Sequence, residues 1–93
     1  MTNPANQTVL ITGASGGFGR HMVCQFRAAG ARLILADRTD ETLRTVVDDA
    51  GDALVAGVVA DLATDGGCEA LVAACAAQNI VPDILVNNAG IAL

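Results

Sequence analysis

The sequence predicts an α/β fold, with a parallel sheet of four strands and helices on both faces of the sheet. Runs of Val, Ile and Leu alternate with amphipathic segments along the 93 residues, which is the pattern of repeated β-α units. Polar residues do not interrupt these runs, as expected for strands that are buried on both faces. Hydrophobic residues make up 53% of the chain and aromatic residues only 2%, so we expect an aliphatic core on which helices pack closely.

The first strand, predicted at Thr8–Thr12, leads into a glycine-rich turn and then into a helix predicted over Phe18–Ala29. The turn reads TGASGGFG and ends at Gly19, and Gly30 is placed to end the helix. Unpaired N–H groups and the positive end of the helix dipole meet at the turn, which favours the binding of an anion there. The helix face that we expect to be buried contains Phe18, Met22, Phe26 and Ala29.

The glycines of this turn have the spacing G-x-x-x-G-x-G, which differs from the common dinucleotide pattern G-x-G-x-x-G. The turn is not a P-loop either, because no Lys follows the last glycine. Gly13, Gly17 and Gly19 lack a Cβ, so the chain can turn tightly and a phosphate can approach the backbone. Taken alone, the glycines are also compatible with an ordinary strand-to-helix turn.

The second strand is predicted at Arg32–Ala36 and the third within Leu54–Ala60. Between them, Thr39 is expected to cap a helix and Gly51 to end it. Apolar residues recur at helical spacing along the face of this helix that should be buried, namely Leu43, Val46, Val47 and Ala50.

A third helix is predicted over Asp65–Gln78, and a fourth strand at Ile84–Val86. Gly66 and Gly67 are expected to loosen the first turn of this helix. Its buried face should contain Cys68, Leu71, Val72 and Cys75. The cysteines of the chain have no metal-ligand spacing, so we expect no metal site and interpret Cys68 and Cys75 as small buried residues in a reducing compartment.

Right-handed crossovers between parallel strands fix the order of the predicted sheet as 3-2-1-4. Residues 1–93 would then form one domain, the first half of a doubly wound, Rossmann-like fold, with its switch point between strands 1 and 4. The glycine turn lies at that crevice. Strand 4 would be an edge strand with few charges to block pairing, so we expect a homo-oligomer, or aggregation, with strand 4 at or near the contact.

An acidic residue, Asp37, follows the second strand, 18 positions after Gly19, where dinucleotide folds place an acid against the adenosine ribose. A carboxylate accepts hydrogen bonds from both ribose hydroxyls and repels a 2′-phosphate, which favours NAD over NADP. The neighbouring Arg38 could instead pair with that phosphate. A solvated Asp at the end of a strand is the alternative interpretation.

Polar residues also follow the third and fourth strands, at the same edge of the sheet. Asp61 could accept a hydrogen bond from the adenine amino group, and the N–H of Leu62 could donate one to the ring. The fourth strand ends in NNAG, residues 87–90. Its asparagine amides can connect neighbouring strand ends, and its last two residues leave room for a ribose.

Three motifs of the chain resemble those of the short-chain dehydrogenase/reductase family. TGASGGFG resembles the family's TGxxxGxG cofactor motif, ADL at residues 60–62 its adenine motif, and ILVNNAG at residues 84–90 its NNAG motif. The resemblance implies an oxidoreductase that transfers hydride between NAD and an alcohol or carbonyl substrate. It implies a pyrophosphate lined by Ser15, Gly17, Phe18 and Gly19, an adenosine ribose on Asp37, an adenine on Asp61 and Leu62, and a nicotinamide-side ribose on Asn88, Ala89 and Gly90.

The chain departs from that family in its catalytic residues. Family members are much longer and carry a Ser, a Tyr-x-x-x-Lys pair and a further Asn beyond this region, whereas this chain has no Tyr and no Lys and only one Ser, Ser15. We therefore assign no catalytic residue, and we interpret His21 as a surface or helix-packing residue. Three hypotheses remain open: the cofactor-binding half of an oxidoreductase, a non-catalytic nucleotide-binding module, or an assembly module that recruits a second copy.

The net charge of −5 argues against nucleic acid as a partner, because the five Arg residues are scattered and form no basic stripe. The N-terminal residues MTNPANQ contain no apolar signal core, and no apolar run approaches the length that spans a membrane. We therefore expect a soluble, cytoplasmic protein that binds a dinucleotide and does not associate with membranes.

Overall fold

The structure is a computed structural model that describes residues 5–62 and 64–88. Strands and helices alternate along the chain, and no bound lies more than one residue from its predicted position. The elements are β1 (Thr8–Thr12), α1 (Gly17–Ala28), β2 (Arg32–Asp37), α2 (Asp40–Ala50), a 3-10 turn (Gly51–Ala53), β3 (Leu54–Val59), α3 (Asp65–Ala77) and β4 (Ile84–Asn87). Within the described ranges, none of the helices combines the length and the apolar character needed to cross a membrane.

The four strands form one parallel sheet in the order β3-β2-β1-β4, which confirms the predicted topology. The register places Thr12 at the end of β1 opposite Ala36 of β2 on one side and Asn87 of β4 on the other. At the next pair, Asp37 of β2 lies opposite Val59 of β3. All four strands therefore end at one edge of the sheet, and the glycine turn after β1 begins at the switch point.

Two aliphatic layers cover the faces of this sheet. Alternate residues of the central strands face opposite layers, so that Ile11 and Leu35 point towards α1 and α2, whereas Leu10 and Ile34 point towards α3. Two helices thus cover one face and one helix covers the other, as the right-handed crossovers predict. The layer under α1 and α2 also contains Val9, Val23, Leu33, Leu43, Val46 and Ala50, and the layer under α3 contains Val58, Ala60, Leu71 and Cys75.

The buried faces of two helices are narrower than predicted. In α3, Leu71 and Cys75 are buried one turn apart, but Val72 is 70% exposed and Cys68 is exposed, so the predictions for Val72 and Cys68 were wrong. A single helix on this face contacts the sheet along one i, i+4 row, and the residues beside that row face an uncovered part of the sheet. Cys75 is buried, as predicted.

In α1, the prediction failed at both ends of the helix. Phe18 is 64% exposed because it lies in the first turn, at the carboxyl edge of the sheet. Ala29 is exposed as the C-cap residue, and Gly30 follows it with a φ of 86°. Met22 and Phe26, between the ends, pack against the core as predicted.

Two threonines cap helices in the described chain. Thr39 accepts a hydrogen bond from Thr42 N–H at 3.1 Å, as predicted, and Thr64 accepts one from Gly67 N–H at 3.0 Å at the start of α3. Gly67 also has a packing role in this turn. A Cβ on Gly67 would overlap the carbonyl group of Asp61, so the glycine allows α3 to pack directly against the end of β3.

Candidate functional site

The glycine turn between β1 and α1 needs glycine at two positions for two different reasons. Gly13 has a φ of 61°, in the left-handed region, and its carbonyl accepts a hydrogen bond from Gly16 N–H at 3.2 Å. A Cβ on Gly19 would overlap the Gly13 carbonyl oxygen and would lie 2.9 Å from the Ala14 Cα. Because Gly19 has no side chain, the first turn of α1 packs directly against the backbone of Gly13 and Ala14, and this contact sets the shape of the turn.

The N-terminus of α1 points its unpaired N–H groups out of this turn. No side chain caps the helix at Gly16, unlike the threonine caps of α2 and α3. The first N–H that bonds within the helix is that of Arg20, which donates to Gly16 O at 2.8 Å. The N–H groups of Gly17, Phe18 and Gly19 have no partner in the helix because of its geometry, so they are available to an anion. A Cβ on Gly17 would have no atom within 4 Å, so the turn is open on that side.

Asp37, at the end of β2, lies directly against the same turn. Its carboxylate accepts hydrogen bonds from two backbone N–H groups, with Ser15 N at 2.8 Å from Oδ2 and Arg38 N at 2.8 Å from Oδ1. The residue is only 7% exposed, which rules out the alternative of a freely solvated acid. Arg38 itself is exposed. The structure therefore brings together Asp37 and Ser15, which the sequence placed in separate motifs.

The ionisation of Asp37 follows from these contacts. Burial disfavours its charge, but hydrogen bonds from the side chain and N–H of Ser15, from Arg38 N–H and from the side chain of Thr42 outweigh burial and hold the pKa of the carboxyl group below its ordinary value. The group is thus a carboxylate at neutral pH, which accepts hydrogen bonds and donates none.

On the other side of the turn, Thr12 and the asparagines of β4 join the strand ends. Asn88 N–H donates to Thr12 Oγ1 at 3.0 Å, and Asn88 Nδ2 donates to Gly13 O at 3.3 Å. The Thr12 hydroxyl also lies 3.2 Å from Asn87 Oδ1. The prediction that asparagine amides connect neighbouring strand ends is confirmed. The sequence did not predict that Thr12, which is 2% exposed, contacts both asparagines. A threonine at the end of a buried strand could have indicated such a contact.

The predicted adenine residues lie at the end of the neighbouring strand. Ala60 N–H donates to Asp37 O at 2.8 Å, which fixes the segment after β3 beside the end of β2. The next residue, Asp61, is exposed, and Leu62 is half-buried against the layer under α3. Two predicted positions of the NNAG motif, Ala89 and Gly90, lie outside the described residues.

An apolar cavity of about 480 Å³ lies on the α3 face, between that helix and β4. Its lining includes Leu10, Leu71 and Leu85 and contains no charged residue, and Thr12 and Asn87 form its polar part. Leu85 is 61% exposed and Val81 is 81% exposed. The surface near β4 is therefore aliphatic and not covered by a helix, and it borders the crevice at the switch point.

Comparison with known proteins gives the same picture of the chain. Residues 7–93 match the family model described as short chain dehydrogenase. The galactitol 2-dehydrogenase (L-tagatose-forming) of Cereibacter sphaeroides is 46% identical over 84 residues, which cover 88% of this chain and 32% of that enzyme.

Two solved structures share both the fold and part of the sequence. A 3-ketoacyl-(acyl-carrier-protein) reductase from Brucella melitensis, complexed with NADH, superimposes with a TM-score of 0.75 and 34% identity, over 87% of this chain and 33% of that one. The Pseudomonas aeruginosa RhlG/NADP active-site complex gives a TM-score of 0.81 and 30% identity, over 96% and 38%. The chain thus spans about a third of the length of these relatives, and one of the two complexes contains NADH while the other contains NADP.

Proposed function

Because the chain belongs to the short-chain dehydrogenase family, we propose that it is the dinucleotide-binding part of an oxidoreductase. The observation that carries this proposal is the uncapped N-terminus of α1, which faces the glycine turn beside the Asp37 carboxylate. Three free N–H groups next to a buried hydrogen-bond acceptor fit a ligand that carries a phosphate next to a ribose. When bound, the nicotinamide would accept or supply hydride in the complete enzyme.

Each part of the dinucleotide would be bound by the residues that the sequence motifs imply. The N–H groups at the start of α1 would hold the pyrophosphate, Asp37 the adenosine ribose, and the exposed Asp61 the adenine. Asn88, fixed to Gly13 and Thr12, would lie on the nicotinamide side. The full set consists of Gly13, Ser15, Gly17, Phe18, Gly19, Asp37, Arg38, Asp61, Leu62, Asn88, Ala89 and Gly90.

The choice of NAD over NADP follows from the charge of Asp37. Hydrogen bonds hold its pKa below the ordinary value, so the group is a carboxylate; if it binds the adenosine ribose as proposed, a 2′-phosphate would meet a fixed negative charge. Arg38 offers only its N–H to this carboxylate, and its exposed guanidinium would have to outweigh that repulsion to favour NADP. We therefore propose NAD as the cofactor.

We also propose that the protein is cytoplasmic, since its three cysteines are unpaired, as is usual in a reducing compartment.

We expect NADH to stabilise the chain more than NADPH does. A ligand at about a hundred times its dissociation constant should raise the free energy of unfolding by ~2.7 kcal/mol. The measurement is thermal unfolding with each dinucleotide at equal concentration, with ADP-ribose as the control that lacks nicotinamide. Equal or greater protection by NADPH would show that Arg38 outweighs Asp37 and would end the assignment of NAD.

A non-catalytic nucleotide-binding module is the second candidate function, because the 93 residues contain no Tyr and no Lys. We expect this chain alone to bind the cofactor without turning over an alcohol or a carbonyl substrate. Proton transfer by a positioned side chain contributes ~10²–10⁴-fold to such reactions, and binding a cofactor does not lower the barrier by itself. The test is NADH oxidation by the purified chain, with heat-inactivated chain as the control. Steady turnover that co-purifies with the chain would contradict this expectation.

A further inference from the structure

We propose that Asp37 is also a positioning residue, which holds the glycine turn in the shape that receives the pyrophosphate. The assignment of the turn to a pyrophosphate rests on the function proposed above. The Asp37 carboxylate accepts a hydrogen bond from Ser15 N–H, a backbone group in the middle of the turn, so this bond holds the turn itself.

The turn is held from both of its neighbouring strands. On the β2 side, Ala14 N–H donates to Ala36 O at 3.3 Å, and Ser15 N–H donates to Asp37 Oδ2 at 2.8 Å. On the β4 side, Asn88 Nδ2 donates to Gly13 O at 3.3 Å. The bond to Asp37 is the shortest of the three and has a charged acceptor, which makes it the strongest. Losing it would leave Ser15 N–H without its acceptor and would free the middle of the turn.

The geometry of the carboxylate makes asparagine an informative substitute. Both oxygens of Asp37 are used, since one accepts from Ser15 N–H and the other from Arg38 N–H. An asparagine of the same shape has only one oxygen, so its amide group would face one of these two N–H groups with a donor. Asp37→Asn therefore keeps the volume of the side chain but cannot make both bonds.

Inorganic pyrophosphate is the probe that separates the two roles of Asp37, because it contains no ribose. If Asp37 only bound ribose, Asp37→Asn would leave pyrophosphate binding unchanged, or would strengthen it by removing a negative charge. If Asp37 positions the turn, the same variant should weaken pyrophosphate binding by about tenfold, the typical effect of losing a hydrogen bond to a charged group. Weaker binding of pyrophosphate by Asp37→Asn is thus expected only if Asp37 positions the turn.

The experiment combines pyrophosphate titration with amide hydrogen exchange measured by NMR on the 93-residue chain. In the wild type, Ser15 N–H should exchange more slowly than the uncapped Gly17 N–H, a comparison that needs no variant. In Asp37→Asn, exchange at Ser15 should become faster. Ser15→Ala, which keeps the backbone N–H, should retain slow exchange. Glu41→Gln is the matched control for charge, since Glu41 is exposed in the first turn of α2, after the end of β2, and is not part of the proposed site.

Two results would overturn the proposal: fast exchange of Ser15 N–H in the wild type, or pyrophosphate binding by Asp37→Asn that is as strong as in the wild type. Failure of the proposed function would look different. In that case neither pyrophosphate nor NADH would bind the wild-type chain, while Ser15 N–H would still exchange slowly and would still depend on Asp37.

Discussion

Replacing Gly19 by alanine is expected to disrupt the glycine turn and to abolish dinucleotide binding. The new Cβ would overlap the Gly13 carbonyl oxygen and lie 2.9 Å from Ala14 Cα, and both are backbone atoms that cannot rotate away. Forcing such a contact costs about 1–3 kcal/mol in a packed structure, so the free energy of unfolding should fall by about that amount. The loss of affinity should be larger, since the turn would lose the shape that presents the N–H groups of α1, which we propose hold the pyrophosphate.

Gly17→Ala is the matched control for the stability part of this prediction. A Cβ at Gly17 would meet no atom within 4 Å, and the residue has helical backbone, which alanine adopts at a lower entropic cost than glycine. We therefore expect the stability of Gly17→Ala to equal or exceed that of the wild type. Urea unfolding of both variants, with and without NADH, is the measurement. If Gly19→Ala has the stability and the affinity of the wild type, the prediction is wrong, because the backbone of the turn then moves enough to accommodate the added methyl group.

The fold was predictable because local patterns and chain handedness determine it. Aliphatic runs set the four strands, helical spacing set α1 to α3, and right-handed crossovers then left one strand order, β3-β2-β1-β4. Part of the site follows from the same information. Parallel strands end at one edge, so the polar residues after β2 and β4 had to lie near the glycine turn. Asp37 and Asn88 do lie there.

What the sequence did not predict are contacts that depend on distances of closest approach. The bond between Asp37 and Ser15 joins residues 22 positions apart, and that between Asn88 and Thr12 joins residues 76 apart. Strand order places such residues near each other but does not fix which atoms meet. The same holds for Gly67, since its pattern indicates only a weak helix former, whereas in the structure a Cβ at this position would overlap the Asp61 carbonyl group. The exposure of Val72 likewise depends on how far one helix covers the sheet.

The free edge of β4 leads to the second large effect, association of two copies of the chain. In the described sheet β4 pairs with β1 alone, so one side of Ile84–Asn87 has no strand neighbour. Asp83 directly precedes β4, but its carboxylate accepts a hydrogen bond from Thr8 N–H of β1 at 2.8 Å. This carboxylate is therefore directed to the β1 side and leaves the free edge of β4 open to another strand. An open strand with exposed apolar side chains and few free charges favours pairing with another chain.

The apolar cavity beside β4 adds the driving force for this association. It is bordered by the exposed side chains of Val72, Val81 and Leu85, and no charged residue lines it. Burial of apolar surface contributes about 25 cal/mol per Å², so covering a patch of a few hundred Å² would contribute several kcal/mol before the entropy of association is subtracted. We propose that a second copy of the chain covers this surface, with the β4 edges in contact.

We expect the wild-type chain to form dimers at high micromolar concentration and Leu85→Lys to be monomeric. Leu85 is 61% exposed, so the new ammonium group lies in solvent in the monomer but would be buried in the contact. Val55→Lys is the matched control, because Val55 is 40% exposed on β3, the strand at the opposite edge of the sheet. Sedimentation equilibrium of the three chains is the measurement. A wild-type monomer, or equal loss of association in both variants, would show that the β4 edge is not the contact between copies.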